Sequence, residues 1–249
     1  MSNILSDNNQ IIKVLELRNY LLKPNHADKF SAYFNSHFVI PMNELGGYTL
    51  GQFKIPGVNN RFVWMRGFTG MDTRIKFLND FYVNSPVWKN FGPGANDMMI
   101  NSGNVYLLKP LNIHNPLKKP GEGIDSNLLK TSGGIMVVDF YICNSTLDKV
   151  IDLFSSAYLP FLKSLDIQNI TLWVSEMAEN DFPRLPVFQD KNLLLTLTSY
   201  KDENDYRVKQ EKINSPKGDP MAARLKNSIQ ELVTIQSNLI LSPVTRNIP

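Results

Sequence analysis

The chain is poor in the residues that most often announce chemistry. Its 249 residues hold one cysteine, Cys143, and three histidines, His26, His37 and His114. A single cysteine excludes an intrachain disulfide and suits a reducing compartment, so a cytoplasmic location is expected. Cys143 reads as a small apolar strand residue. Three widely spaced histidines and one thiol give no metal-ligand spacing, so no metal is expected. Gly92-Pro93-Gly94 is followed by no P-loop lysine and reads as a turn. No stretch approaches the ~20 apolar residues of a membrane span, and residues 1–10 lack the apolar core of a secretion signal. No sign of charge dominates: 26 Lys and Arg against 23 Asp and Glu leave a formal +3. The densest mid-chain basic pair, Lys118-Lys119, adjoins proline and glycine as in a solvated loop. Neither a nucleic-acid nor a membrane partner is expected. No nucleophile constellation or cofactor motif stands out, so no cofactor is expected.

What is present is an ordinary apolar fraction, 43%, in segments that alternate between strand and helix periods. Residues 11–22 read as a strand. Phe30, Phe34, His37 and Phe38 then recur at helical spacing, and Pro41 and Gly46-Gly47 punctuate that segment. Residues 48–55 and 61–68 read as a hairpin around Pro56-Gly57 and Asn59-Asn60. A helix from Asp72 presents Ile75, Leu78 and Tyr82 on one face, and residues 104–109 form a fourth strand. Residues 111–134 are rich in Pro, Gly, Asn and Lys and read as a linker. The order then starts again: strand 135–143, helix 146–165 with Leu147, Val150, Ile151, Phe154 and Tyr158 on one face, strands 169–176 and 191–200, helices 204–212 and 220–236, strand 238–241.

Local sequence repeats as well. Val83-Asn84-Ser85-Pro86 returns as Ile213-Asn214-Ser215-Pro216, Asp72-Thr73-Arg74 as Asp205-Tyr206-Arg207, and Leu108-Lys109-Pro110 as Leu241-Ser242-Pro243. The offsets are 130 residues for the first match and 133 for the other two. Near-constant offsets argue for a duplicated unit, and this period is too long for a solenoid. The expected fold is α+β: two tandem ferredoxin-like βαββαβ halves, 11–110 and 135–243, packed sheet to sheet as an intrachain α+β barrel. A swapped homodimer would use the same contacts.

The first half carries Glu16-Leu17-Arg18-Asn19-Tyr20, then Lys23-Pro24, the helix with His37 and Pro41, and Gly46-Gly47. Trp64-Met65-Arg66-Gly67-Phe68, Asp72-x-Arg74 and Pro86-Val87-Trp88 follow. This half resembles the NIPSNAP family of the dimeric α+β barrel superfamily. The second half matches it in outline only: Asp139-Phe140-Tyr141 stands where Glu-x-Arg-x-Tyr stood, and no tryptophan follows Pro216. The resemblance implies a barrel and, within the superfamily, chemistry such as cofactor-independent monooxygenation.

Period-two alternation sorts each strand into two faces. Leu15 and Leu17, with Val63, Met65 and Gly67, suit packing under helices. The mixed sets are then expected to face the barrel interior: Glu16, Arg18, Tyr20, Phe62, Trp64, Arg66 and Phe68 from the first half, and Asp139, Tyr141, Thr171, Trp173, Thr196, Thr198 and Tyr200 from the second. That interior suits a small, largely apolar ligand. Tyr20, Trp64, Tyr141, Trp173 and Thr198 are the candidate binding residues. Arg18 and Arg66 are candidates to stabilise an oxyanion, with His37, Asp139 or Glu16 as base. In the alternative, the same charges form a structural ion-pair network in a non-catalytic binding or scaffold protein. Trp64 and Trp173 equally suit a core, His26 a surface helix start, and His114 an inert place in the linker.

Overall fold

Strand-forming segments alternate with helices along the whole chain and close on one another. The computed structural model describes residues 11–111, 117–120, 134–144, 147–214 and 220–244. Its first series is β1 (Val14–Leu22), α1 (Ala27–His37), α2 (Val39–Glu44), β2 (Tyr48–Lys54), β3 (Arg61–Phe68), α3 (Met71–Asn79), a π-helical turn (Asp80–Asn84), α4 (Pro86–Met98), β4 (Met99–Asn101) and β5 (Val105–Pro110). The second is β6 (Ile135–Cys143), α5 (Leu147–Leu153), a second π-helical turn (Phe154–Tyr158), α6 (Leu159–Ser164), β7 (Ile170–Ser175), β8 (Leu193–Tyr200), α7 (Glu203–Asn214), α8 (Pro220–Leu232) and β9 (Val233–Pro243).

Turn chemistry fixes the first series locally. Pro56-Gly57, with Gly57 at φ +75° and the Val58 N–H donating to the Ile55 carbonyl at 3.0 Å, makes the tight β2–β3 connection. Gly46 at φ +87° ends α2: its N–H reaches the Asn43 carbonyl, and that of Gly47 reaches Met42. This is the two-bond glycine cap of a helix C-terminus. Ser85 caps α4 by accepting the Val87 N–H at 3.1 Å, with Pro86 in the first helical position.

The strands run β3-β2-β9-β6-β8-β7-β5-β1, and β1 pairs back with β3, giving a closed eight-stranded antiparallel barrel. β4 adds a short edge beside β1. Within the first series the order is β5-β1-β3-β2, and within the second β9-β6-β8-β7. The series join at β2–β9 and at β5–β7. Register matches too: the β1–β3 ladder from Val14–Phe68 to Leu21–Arg61 has its counterpart in the β6–β8 ladder from Ile135–Tyr200 to Ile142–Leu193.

Both faces of the barrel wall are buried, and the face assignment from alternation is corrected. Leu15, Leu17, Val63 and Met65 point inward, where they meet Val138, Phe140, Trp173, Leu193, Leu195 and Leu197. Tyr20, Phe62, Trp64 and Phe68 point outward and pack with Phe30, Phe34, Phe77 and Phe81 of the helical layer. In the second series Tyr141 packs outward with Phe154, and Tyr200 lies in an outward cluster with Leu162. An eight-stranded interior is just wide enough for side chains to fill it, so compact aliphatics sit inside. Gly67 belongs to that inner face: a Cβ there would run into Leu50 and Ile12.

Three boundaries also differ from expectation. Gly92, Pro93 and Gly94 lie inside α4, not in a turn. The chain leaves α8 at Leu232, so β9 has eleven residues. The β-branched residues Val233, Thr234 and Ile235 favour the strand, and pairing of Val233 with Cys143 and Ile235 with Ile142 secures it. In α3 the buried residues are Arg74, Phe77 and Leu78, so the helix is turned from the Ile75–Tyr82 face. The linker falls largely outside the described residues, as do His114 and the Ser215-Pro216 match. Within that segment Leu117 is buried and closes one barrel end, its carbonyl accepting the Ile12 N–H at 2.8 Å. No helix among the described residues is long and apolar enough to cross a membrane.

Candidate functional site

The face of β1 and β3 turned toward the helices carries a charged cluster that water does not reach. Glu16 pairs with Arg66 across the ladder, and Arg18 follows Glu16 by two residues on the same face. Arg74 joins them from the buried stripe of α3. All four are at most 1% exposed. Glu16 Oε2 accepts from Arg18 Nη1 at 2.7 Å and from Arg66 Nε and Nη2 at 2.9 and 2.5 Å. Its Oε1 accepts from Arg74 Nε at 2.8 Å. Burial alone would raise the Glu16 carboxyl pKa, but the three guanidiniums around it hold it below the usual carboxylate range.

The cluster is not neutral. Three guanidiniums surround one carboxylate, leaving two positive charges in a dry layer. The next acid, Asp181, is half exposed and 3.7 Å from Arg74 Nη1. Uncompensated buried charge costs several kcal/mol, roughly. Arg74 Nη2 is buried with no hydrogen-bond partner among the described residues. So is the indole Nε1 of Trp64, whose ring lies 5.5 Å from the Arg18 guanidinium carbon and 5.3 Å from that of Arg66. The site has more donors than acceptors and more positive than negative charge, which is the polarity an anionic oxygen would complement.

An aromatic chamber adjoins the cluster. Tyr20, Phe34, Phe38, Trp64, Phe81, Tyr82 and Trp88 line a cavity of about 30 Å³. Arg18 Nε donates to the Tyr20 hydroxyl at 2.8 Å, and Arg66 Nη1 to the Tyr82 hydroxyl at 3.0 Å. With each oxygen already accepting, each O–H is left to donate. Burial raises the Tyr20 pKa while Arg18 pulls it back, so the phenol stays protonated at neutral pH. Phe81 and Tyr82 sit on the π-helical turn, a backbone irregularity that often marks functional sites. The segment between β7 and β8 closes one side: Asn180 accepts from Arg74 Nη1 at 3.1 Å, and Phe182 packs 6.3 Å from the Tyr82 ring.

Of the expected site residues, the structure brings Glu16, Arg18, Arg66, Tyr20 and Trp64 together, but between barrel and helices. His37 stacks on Phe91 at 4.0 Å and is not among the cavity-lining residues. His26 precedes α1, as expected of a surface helix start. Trp173 does face the barrel interior, its Nε1 donating to Thr171 at 2.8 Å. Asp139, Tyr141 and Thr198 form another group, under the helices of the second series. There Thr196 donates to Asp139 at 3.2 Å, and burial pushes the Asp139 carboxyl up to about 6. Arg74, Tyr82 and Asn180 were not among the expected site residues, although Arg74 stood in the Asp72-x-Arg74 motif and Tyr82 on an expected helix face. Arg74 had a signal: it shares a helical stripe with Phe77, Leu78 and Phe81, where a charge is out of place. Asn180 had none, because it arrives from the other series.

No family model matches the chain, and no curated protein matches it. Solved structures do. A presumed monooxygenase from Lactobacillus acidophilus NCFM is 11% identical, with 94% of this chain and 95% of that chain covered and a TM-score of 0.58. An anthrone oxidase-like protein is 8% identical, with 94% and 92% covered and a TM-score of 0.57. A NIPSNAP-like domain protein from Burkholderia xenovorans is 21% identical over 43% of this chain and 91% of that one, at a TM-score of 0.38. The full-length likenesses define the class of fold, a closed α+β barrel. At these identities they define nothing finer, and the partial match bears no weight.

Proposed function

We propose that this chain binds a small aromatic molecule through an ionised oxygen, a phenolate or enolate, in the chamber between the first-series sheet and its helices. The observation that carries this is the buried excess of positive charge and unpaired donors at Arg74 Nη2 and Trp64 Nε1, beside an aromatic chamber. Arg18 and Arg66, through Tyr20 and Tyr82, would hold the oxyanion, and the rings would hold the apolar body. The enolate, formed by loss of the ring C–H proton to solvent, is the form whose ring carbon is electron-rich toward dioxygen, and the cations favour that ionised form. Oxidation of anthrone to anthraquinone, with one dioxygen consumed and one water released, is the model reaction suggested by the name of a full-length neighbour. The matched strand orders and registers support reading the chain as two ferredoxin-like halves fused in tandem, with the site in the first.

Titration with 2-naphthol, followed by its absorption and fluorescence, tests the binding. The bound molecule should show naphtholate character at neutral pH, and Trp64→Phe should weaken it about tenfold by removing the indole donor. No saturable binding, or binding of the neutral form alone, would count against the reading. A second reading has one observation in its favour: the chamber holds about 30 Å³, room for about one water molecule. In that case the arginines are structural and the protein is a scaffold. Binding of naphtholate without oxygen uptake on anthrone would leave a binding protein; turnover lost in Arg66→Met would establish the enzyme.

A further inference from the structure

The two ends of the barrel differ. At one end Ile12 and Leu117 fill the opening, both at most 5% exposed. At the other, where β1 and β6 finish and β5 and β9 begin, a cavity of about 430 Å³ opens. It lies on the opposite face of β1 from Glu16 and Arg18, because its β1 lining residues are Leu17 and Asn19. The walls come from both series. Tyr106 and Phe140 pack against each other in its wall, ring centroids 5.0 Å apart, beside Ile142 and Leu239. No lining residue is charged.

Two of its polar groups are unsatisfied. The side-chain Oδ1 atoms of Asn19 and Asn104 are buried, with no hydrogen-bond partner among the described residues. Their strands meet there, the Asn19 N–H donating to the Asn104 carbonyl at 2.9 Å. A buried acceptor left alone is costly, by about 1–3 kcal/mol, and a ligand that supplies a donor recovers that loss. The volume falls within the range of small-molecule sites, about 300–1,000 Å³.

We infer that this barrel mouth is a second binding site, for a neutral, mostly apolar molecule carrying a hydroxyl or N–H donor that reaches Asn19 and Asn104. It differs from the chamber above in the charge of its ligand. The chamber offers donors and positive charge to an oxyanion; the mouth offers carbonyl oxygens and no charge. The site needs both series, since neither Tyr106 nor Phe140 forms it alone.

Fluorine NMR with 4-(trifluoromethyl)benzyl alcohol tests this on the full chain, against 4-(trifluoromethyl)toluene, which lacks the hydroxyl. The alcohol should bind saturably and about tenfold more tightly than the toluene. Asn104→Leu, near-isosteric, should abolish that preference. In the wild-type protein, independently of any variant, the bound alcohol should show nuclear Overhauser contacts to the Tyr106 and Phe140 rings. Absence of those contacts, or a hydroxyl preference that survives in a folded Asn104→Leu variant, overturns the inference. Loss of the alcohol's binding in a folded Trp64→Phe variant, which changes the chamber and not the mouth, would also overturn it, by placing the alcohol in the chamber.

Discussion

The two helix-facing surfaces of the barrel occupy corresponding places and carry opposite chemistry. Along the matched ladders Val137 stands where Glu16 does, Asp139 where Arg18 does and Tyr141 where Tyr20 does. Thr196 and Thr198 stand where Trp64 and Arg66 do. Only the tyrosine is kept. The first surface buries three cations around one acid. The second buries one acid among phenols, Tyr141, Tyr158 and Tyr200, whose own pKa values are pushed up by burial and by Asp139. One backbone arrangement thus tolerates either sign, which separates the site from the scaffold: strand order and register do not need the arginines.

The largest effect is expected at Glu16. Glu16→Gln leaves three buried guanidiniums without their shared anion and should lower the unfolding free energy by about 3–5 kcal/mol in urea titrations. Adding Arg66→Met should recover part of the loss, since one surplus charge goes with it. The folded-state pKa of Glu16 is depressed, so its contribution is present above about pH 4, where an unfolded glutamate ionises, and is lost as pH falls through the folded value. The gap between wild type and Glu16→Gln should therefore close in acid. If the gap is independent of pH, the ion cluster is not what stabilises the first surface.

Asp139 should behave in the reverse sense. Its folded pKa, about 6, lies above that of an unfolded aspartate, so the folded form binds its proton more tightly and stability drops as pH rises from about 4 to 6. Asp139→Asn should stabilise the protein above pH 6 by up to about 3 kcal/mol, with the gain vanishing near pH 4. A calorimetric melting series across that range decides it. The smallest effect belongs to Arg207, the partner of Arg74 in the sequence repeat. Its side chain is 63% exposed, pairs with Glu211 one turn on and donates to Asn204 three residues back. Arg207→Ala should change stability by less than about 0.5 kcal/mol, against about 3 for Arg74→Ala. Comparable losses at the two arginines would mean that the surfaces are less different than their geometry implies.

Much of the barrel was legible before any coordinates. Pro56-Gly57 marked the β2–β3 hairpin, and period-two alternation grouped Glu16, Arg18 and Arg66 on one face. What alternation got wrong was the direction in which that group points. It distinguishes faces when one meets water; here β1 and β3 are buried on both sides, by the opposite barrel wall and by helices. Arg74 and Asn180 stayed hidden for a related reason, since Arg74 lies 58 residues from its partner Glu16 and Asn180 lies 106 residues from its partner Arg74.

The sequence by itself determined which side chains share a face of each strand, because backbone pleat imposes that wherever a strand forms. Only the tertiary structure decided which face became the barrel lumen and which the helical layer. That choice depends on what each face meets: the lumen is filled from both series by Leu, Val and Met with Phe140 and Trp173, and Glu16, Arg18 and Arg66 lie outside it, where Arg74 of α3 completes their hydrogen bonds.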